Sequence, residues 1–71
     1  TCAHRSARFG TVFKVTNLHN GKSVLCRVND RGPARWTGRV IDLSRAAAWR
    51  IGMVRAGEAS VKIETIREVA P

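Results

Sequence analysis

Seventy-one residues can build a single domain, and one whose small core needs a further stabiliser. An apolar fraction of 44% argues against intrinsic disorder, and no apolar run approaches the ~20 residues needed to cross a bilayer. Ten Arg and three Lys against five acidic residues give a net charge of +8, which points to an anionic partner: nucleic acid, anionic lipid or a carboxylate-bearing polysaccharide.

The chain opens without Met and without a signal peptide, so Thr1 is expected to follow a processed or excised segment. Cys2 and Cys26 are the only cysteines. Two cysteines cannot fill a Cys-rich zinc site, and His4 and His19 lack finger spacing, so no metal ligation is expected. A disulfide joining the N-terminal segment to a strand is favoured over two free thiols because the core is short of stabilisation, and it would fit an oxidising compartment.

Residues 11–17 (TVFKVTN) are rich in β-branched side chains and predict a strand. Asn20-Gly21 then signals a tight hairpin turn, with His19 a turn residue. Residues 22–29 (KSVLCRVN) form the return strand, with Val24, Cys26 and Val28 on one face and Leu25, Arg27 and Asn29 on the other. Residues 30–38 (DRGPARWTG) read as a structured loop, and residues 39–43 (RVIDL) as a short strand. Ser44 is placed to cap a helix from Arg45 to about Ile51, built on Ala46, Ala47 and Ala48, with Trp49 expected in the core. Gly52 stands where a left-handed helix end is expected. A turn at Ala56-Gly57 leads to a last strand from Ser60 to about Val69, in which Arg67 falls out of simple alternation. The sum is mainly β with one short helix, an order that suits a small closed barrel better than a meander.

Chemistry has few places to sit. Asp30 and Asp42, the only aspartates, lie at strand ends and bracket the Gly-Pro loop. Two carboxylates flanking a substrate suit glycoside cleavage, one donating a proton and the other supporting positive charge at the anomeric carbon. Each also has a structural explanation: Asp30 could close a turn, and Asp42 could favour the helix N-terminus. His4 could carry a proton or simply pack. Trp36 could stack on a sugar or a base. Arg31, Arg35 and Arg39 surround the same loop and make either an anion-binding rim or a solvated surface.

Taken in order, Thr1-Cys2-Ala3-His4-Arg5, Phe9-Gly10-Thr11, Val15-Thr16-Asn17-Leu18, Asn20-Gly21-Lys22-Ser23-Val24, Arg27-Val28-Asn29-Asp30-Arg31-Gly32-Pro33 and Gly38-Arg39-Val40-Ile41-Asp42-Leu43-Ser44 with Ala46-Ala47-Ala48 resemble the rare lipoprotein A family. The likeness runs from Thr1 to about Glu64, and the Asp-Leu-Ser triplet is also similar to that of expansins and related endoglucanases. It implies a six-stranded double-psi β-barrel with an open, glycan-accepting groove, in a periplasmic or other envelope protein that can be a lipoprotein in its full-length form.

By this resemblance His4 matches the active-site histidine, Asp30 the groove aspartate of the Asp-Arg-Gly-Pro loop, and Asp42 the aspartate shared with expansins. The family's first strand and an acidic residue upstream of the histidine have no counterpart here, so residues 1–71 are expected to form an N-terminally incomplete domain. Cys2 and Cys26 replace apolar family positions, which is consistent with a bridge between them. Residues 34–37 (ARWT) form a variable insertion.

The activity implied is that of a lytic transglycosylase acting on peptidoglycan strands stripped of stem peptides, whose bared lactyl carboxylates suit a basic groove. Asp42 would protonate the leaving oxygen and then accept the proton of the sugar's C6 hydroxyl, closing a 1,6-anhydro ring. Its apolar neighbours Ile41 and Leu43 are expected to help the carboxyl hold that proton. Asp30 would stay ionised beside Arg31, while Arg31, Arg35, Trp36 and Arg39 bind substrate. The alternative is a glycan-binding module without turnover. A nucleic-acid-binding domain rests on charge and Trp36 alone, so nucleic acid is not the expected partner. No cofactor is implied, and a monomer is expected.

Overall fold

The computed structural model describes residues 1–52 and 60–69. Its strands are β1 (Cys2–His4), β2 (Val12–Asn17), β3 (Ser23–Asp30), β4 (Ile41–Leu43) and β5 (Val61–Arg67), with one helix, α1 (Arg45–Arg50), between the last two. A single turn of 3-10 helix, Arg35–Thr37, interrupts the loop before β4. The five strands form one sheet in the order β4-β1-β3-β2-β5. β1 runs parallel to β3, while its pairing with β4, and those of β2 with β3 and β5, are antiparallel.

Alternation along the hairpin decides which side is core. Phe13, Val15 and Asn17 of β2 are buried, as are Cys26 and Val28 of β3, whereas Leu25 is 60% exposed. Phe13, Val15, Cys26 and Val28 join Cys2, Ile41 and Ile51 in one cluster, against which Val24, Leu43, Val61 and Ile63 pack. Val15, Val28 and Ile51 are the largest fully buried side chains, each contributing about 1.5–3 kcal/mol of apolar burial. α1 packs on β3 and β4.

Both ends of α1 follow from its sequence. The Ser44 hydroxyl accepts from the Ala47 N–H at 3.2 Å, and the Ser44 N–H donates to Thr1 O at 2.9 Å, tying the helix start to the head of β1. Gly52 has φ +78°, and a Cβ there would lie 2.7 Å from the Asn20 amide nitrogen. That close approach lets both Asn17 and Asn20 donate their side-chain amides to Ile51 O, at 2.8 and 3.0 Å. The helix end is thereby docked on the hairpin loop.

Five strands are present among the described residues, in keeping with the expected absence of the family's first strand, and the sheet ends at β4 and β5. The expected hairpin is present: β2 and β3 pair in antiparallel register, the Asn17 N–H donates to Lys22 O at 2.8 Å, and Asn20 Oδ1 accepts from the Lys22 N–H at 2.9 Å. Trp49 is 69% exposed rather than in the core. Two residues beyond buried Ala47 it has turned roughly 200° around the helix, so it points outward. The segment from Cys2 to His4, not foreseen as a strand, is the one seated between β3 and β4. The last strand is shorter than Ser60–Val69, and its register shifts near Arg67, opposite Val12 and Phe13. The expected turn at Ala56-Gly57 lies outside the described residues.

Cys2 and Cys26 form a disulfide, with Cα atoms 5.8 Å apart and 24 residues of sequence separation. Both are buried. A loop of this length is worth about 3 kcal/mol in the chain-entropy account. The double substitution Cys2→Ala/Cys26→Ala is therefore expected to lower the melting temperature by roughly 10–20 °C. Calorimetry of this variant beside the oxidised protein measures the shift, and an unchanged melting curve would contradict it.

Candidate active site

β1 brings the two aspartates into one row. Its register sets Ala3 opposite Asp42 of β4 on one side and opposite Asp30 of β3 on the other. Two inter-strand spacings separate the aspartate backbones, roughly 10 Å. The residue between them is an alanine, which leaves little side-chain bulk in the row.

Asp30 accepts a hydrogen bond from the Arg31 N–H at 2.8 Å and is exposed. Asp42 lies 3.6 Å from Arg39 Nε, and the two side chains are 41% and 36% exposed. The Nε atom is itself shielded from solvent and makes no hydrogen bond. Ile41 and Leu43 do not enclose the Asp42 carboxyl as expected. Immediate neighbours on a strand face the opposite way, and both belong to the core side with Cys2.

His4 pairs with Ile41 in the register, so alternation puts it on the core side of β1, away from the row through Ala3. Its ring lies 5.3 Å from that of Phe13. Nδ1 accepts from the Ser6 and Ala7 N–H groups at 3.2 and 3.0 Å. The proton of the neutral ring therefore sits on Nε2. Asp30 and Asp42 are thus aligned across β1, and His4 is not on their face.

The four residues expected to bind substrate separate into two kinds. Arg35 is exposed, and Trp36 is 89% exposed, both on the 3-10 turn. Arg39 is paired with Asp42. Arg31 is already engaged by the protein. Its Nη1 donates to His4 O at 3.1 Å and Ala7 O at 2.6 Å, and its guanidinium carbon lies 4.4 Å from the centre of the Phe9 ring. Its charge is directed to these carbonyls, not to the Asp30 carboxylate.

A reciprocal contact went unforeseen. Arg5 Nη1 donates to Pro33 O at 3.0 Å and Arg39 O at 2.7 Å, holding both ends of the loop that carries Arg35 and Trp36. The segment after β1 grips the loop through Arg5, and the loop start grips that segment through Arg31. Sequence spacing carries no signal for this, because the acceptors are backbone carbonyls 28 and 34 residues away.

Fold and site together define a small β domain in which a three-residue strand lies between two strands that each carry an aspartate, one of them paired with an arginine of the loop before it. Comparison with known proteins places it more narrowly. The family model described as lytic transglycolase matches residues 1–63, and the chain belongs to that double-psi β-barrel family. It is 56% identical over 66 residues to the endolytic peptidoglycan transglycosylase RlpA of Vibrio cholerae, covering 93% of this chain and 25% of that protein. Identity to the protein of the same name from Pseudomonas aeruginosa is 52% over 69 residues, or 97% of this chain and 20% of the relative. The Neisseria meningitidis counterpart is 52% identical over 66 residues, with 93% and 27% covered. The chain thus spans about a quarter of the length of these curated relatives.

Hydrogen bonds from a charged donor are each worth about 1.5–3 kcal/mol. Arg5→Ala is expected to free the 33–39 loop, speeding amide exchange at Thr37 and Gly38 about tenfold or more. Arg5→Lys, which keeps the charge without the planar fork, should restore part of the protection. Hydrogen exchange followed by NMR gives both rates, and wild-type rates in Arg5→Ala would show that the clamp does not hold the loop.

Proposed function

We propose that this domain is the peptidoglycan-cleaving part of a lytic transglycosylase, working as a monomer in the periplasm or elsewhere in the cell envelope. The observation that carries the reading is the row Asp30–Ala3–Asp42, two carboxylates on either side of a small residue. The names of the relatives point the same way.

In this reading Asp42 donates a proton to the oxygen linking muramic acid to glucosamine, and the C1–O bond breaks. The Asp30 carboxylate supports the positive charge that develops at C1. Asp42, now a carboxylate, takes the proton of the C6 hydroxyl while that oxygen bonds to C1. The product is a 1,6-anhydro ring, and no water is consumed.

Arg39 gives the scheme its substrate preference. A muramic lactyl carboxylate would compete with Asp42 for its guanidinium, so binding a peptide-free strand would draw the cation away from the acid. Arg35 and Trp36 supply a second cation and a stacking surface on the same loop.

A binding-only module is the second reading. It is favoured by the half-exposed position of Asp42 beside Arg39, where a cation rather than an apolar wall faces the carboxyl. Incubation with peptide-free strands and analysis for anhydro-sugar ends separates the two. Asp42→Asn is expected to abolish product while glycan binding stays within about twofold, because the amide keeps the shape but has no proton to give. An active Asp42→Asn protein would move the acid elsewhere. Binding should also weaken as salt rises, and Arg35→Ala and Arg39→Ala should each weaken it by about two- to fivefold. Co-sedimentation across a salt series checks this, and equal binding to neutral chitin oligomers would count against the electrostatic part.

A further inference from the structure

The outer face of the β3–β2–β5 ribbon, opposite the core, carries its own pattern of charge. Register sets Arg27 and Arg67 on either side of Val12, Leu25 and Glu64 on either side of Lys14, and Ser23 and Lys62 on either side of Thr16. Four cations thus share this face with one acid. Arg27, Arg67 and Lys62 are exposed, and Glu64 is paired with Lys62 at 3.9 Å. Arg27, Lys14 and Arg67 have no acidic partner among the described residues.

Like charges gathered on one exposed face disfavour the folded state slightly. Neither the core nor the aspartate row accounts for them. Arg5 and Arg31 hold backbone carbonyls and Arg39 faces Asp42, so these three are engaged at the other end of the sheet.

We propose that this ribbon face is a second docking surface for a linear, carboxylate-bearing glycan strand, separate from the aspartate row. The inference rests on the transglycosylase reading and extends it: one strand is held on the ribbon while another is presented to Asp30 and Asp42. Arg27 and Arg67 stand roughly 10 Å apart across the middle strand. Exposed Leu25 and half-buried Val12 lie between the cations and offer apolar contact to sugar C–H faces. A polymer with carboxylates at regular intervals along an uncharged backbone matches that alternation. A membrane surface fits less well, because the exposed aromatic side chains Phe9, Trp36 and Trp49 lie before β2, on the 35–37 turn and on α1, not on this ribbon.

The test uses peptide-free glycan strands, the same strands with their carboxylates amidated, and phosphatidylglycerol vesicles. The triple variant Arg27→Gln/Lys14→Gln/Arg67→Gln is compared with Arg35→Ala/Arg39→Ala, and the melting temperature of each is recorded. The triple variant is expected to lose about tenfold in affinity for native strands at low salt, about 1.4 kcal/mol. It should show a shallower salt dependence and match wild type on amidated strands. Arg27→Gln alone, a single exposed change, should lose about twofold. Wild-type affinity in both Gln variants would overturn the ribbon site while leaving the proposed activity standing. Loss of vesicle binding with strand binding unchanged would overturn it in favour of a membrane contact. A wild-type chain that binds no strands at all would overturn the transglycosylase reading and this inference together.

Discussion

Everything at the functional end of this domain depends on keeping three residues of β1 in the middle of a sheet. Cys2–His4 has too few residues to hold such a place by apolar burial alone. It is fixed by parallel pairing to β3, antiparallel pairing to β4, the Thr1 carbonyl under the helix cap, and the covalent link from Cys2 to Cys26. Remove that strand and β4 loses its one sheet neighbour among the described residues. Asp42 and Asp30 would then have nothing between them to set their spacing. The disulfide therefore does more than stabilise a small core. It joins the strand that carries Ala3 to the strand that carries Asp30.

The hairpin and the helix were legible in the sequence because their causes are local. Alternating β-branched residues specify β2 and β3, and the buried set Cys26 and Val28 is the one that alternation selects. Ser44, three alanines and Gly52 define α1 and its two ends without reference to anything distant. β1 could not be read this way. Cys-Ala-His has no periodicity, and its strand character comes from backbone partners up to forty-one residues away, as in the pairing of Cys2 with Leu43. Trp49 misled for a related reason. Composition argues for burial of tryptophan, but helical phase relative to Ala47 sends it outward.

The candidate residues can be named from the sequence, but their arrangement cannot. Asp30, Asp42 and His4 are suggested by residue type and by the family pattern, yet only the register shows that the aspartates align through Ala3 while His4 faces the core. Arg31 shows the limit of reading arginines as a rim. Its neighbours in sequence are an aspartate and a glycine, whereas its actual partners are two carbonyls and a phenyl ring. Arg5 stands in the sequence only as part of the family pattern, because a side chain that bonds to main chain leaves no mark on residue spacing.

These contacts change what the net charge of +8 means. A cation that donates to backbone carbonyls still contributes to the long-range field, but it is not available to grip a ligand. Arg5 and Arg31 therefore shape the loop, and under the proposed function short-range recognition at the aspartate end would fall to Arg35 and Arg39. Of those two, Arg39 has a carboxylate of its own to give up before it can bind another. Arg27, Lys14 and Arg67, which have no acidic partner among the described residues, lie instead on the ribbon, where nothing in the hairpin's own packing needs them. If the proposed activity and the proposed ribbon site both hold, a strongly basic domain would keep modest affinity where bonds break and place its firmer electrostatic hold on a surface that does no chemistry. Such a division would suit cleavage of an insoluble polymer, where staying near the strand and releasing each cut end are opposed demands on a single site.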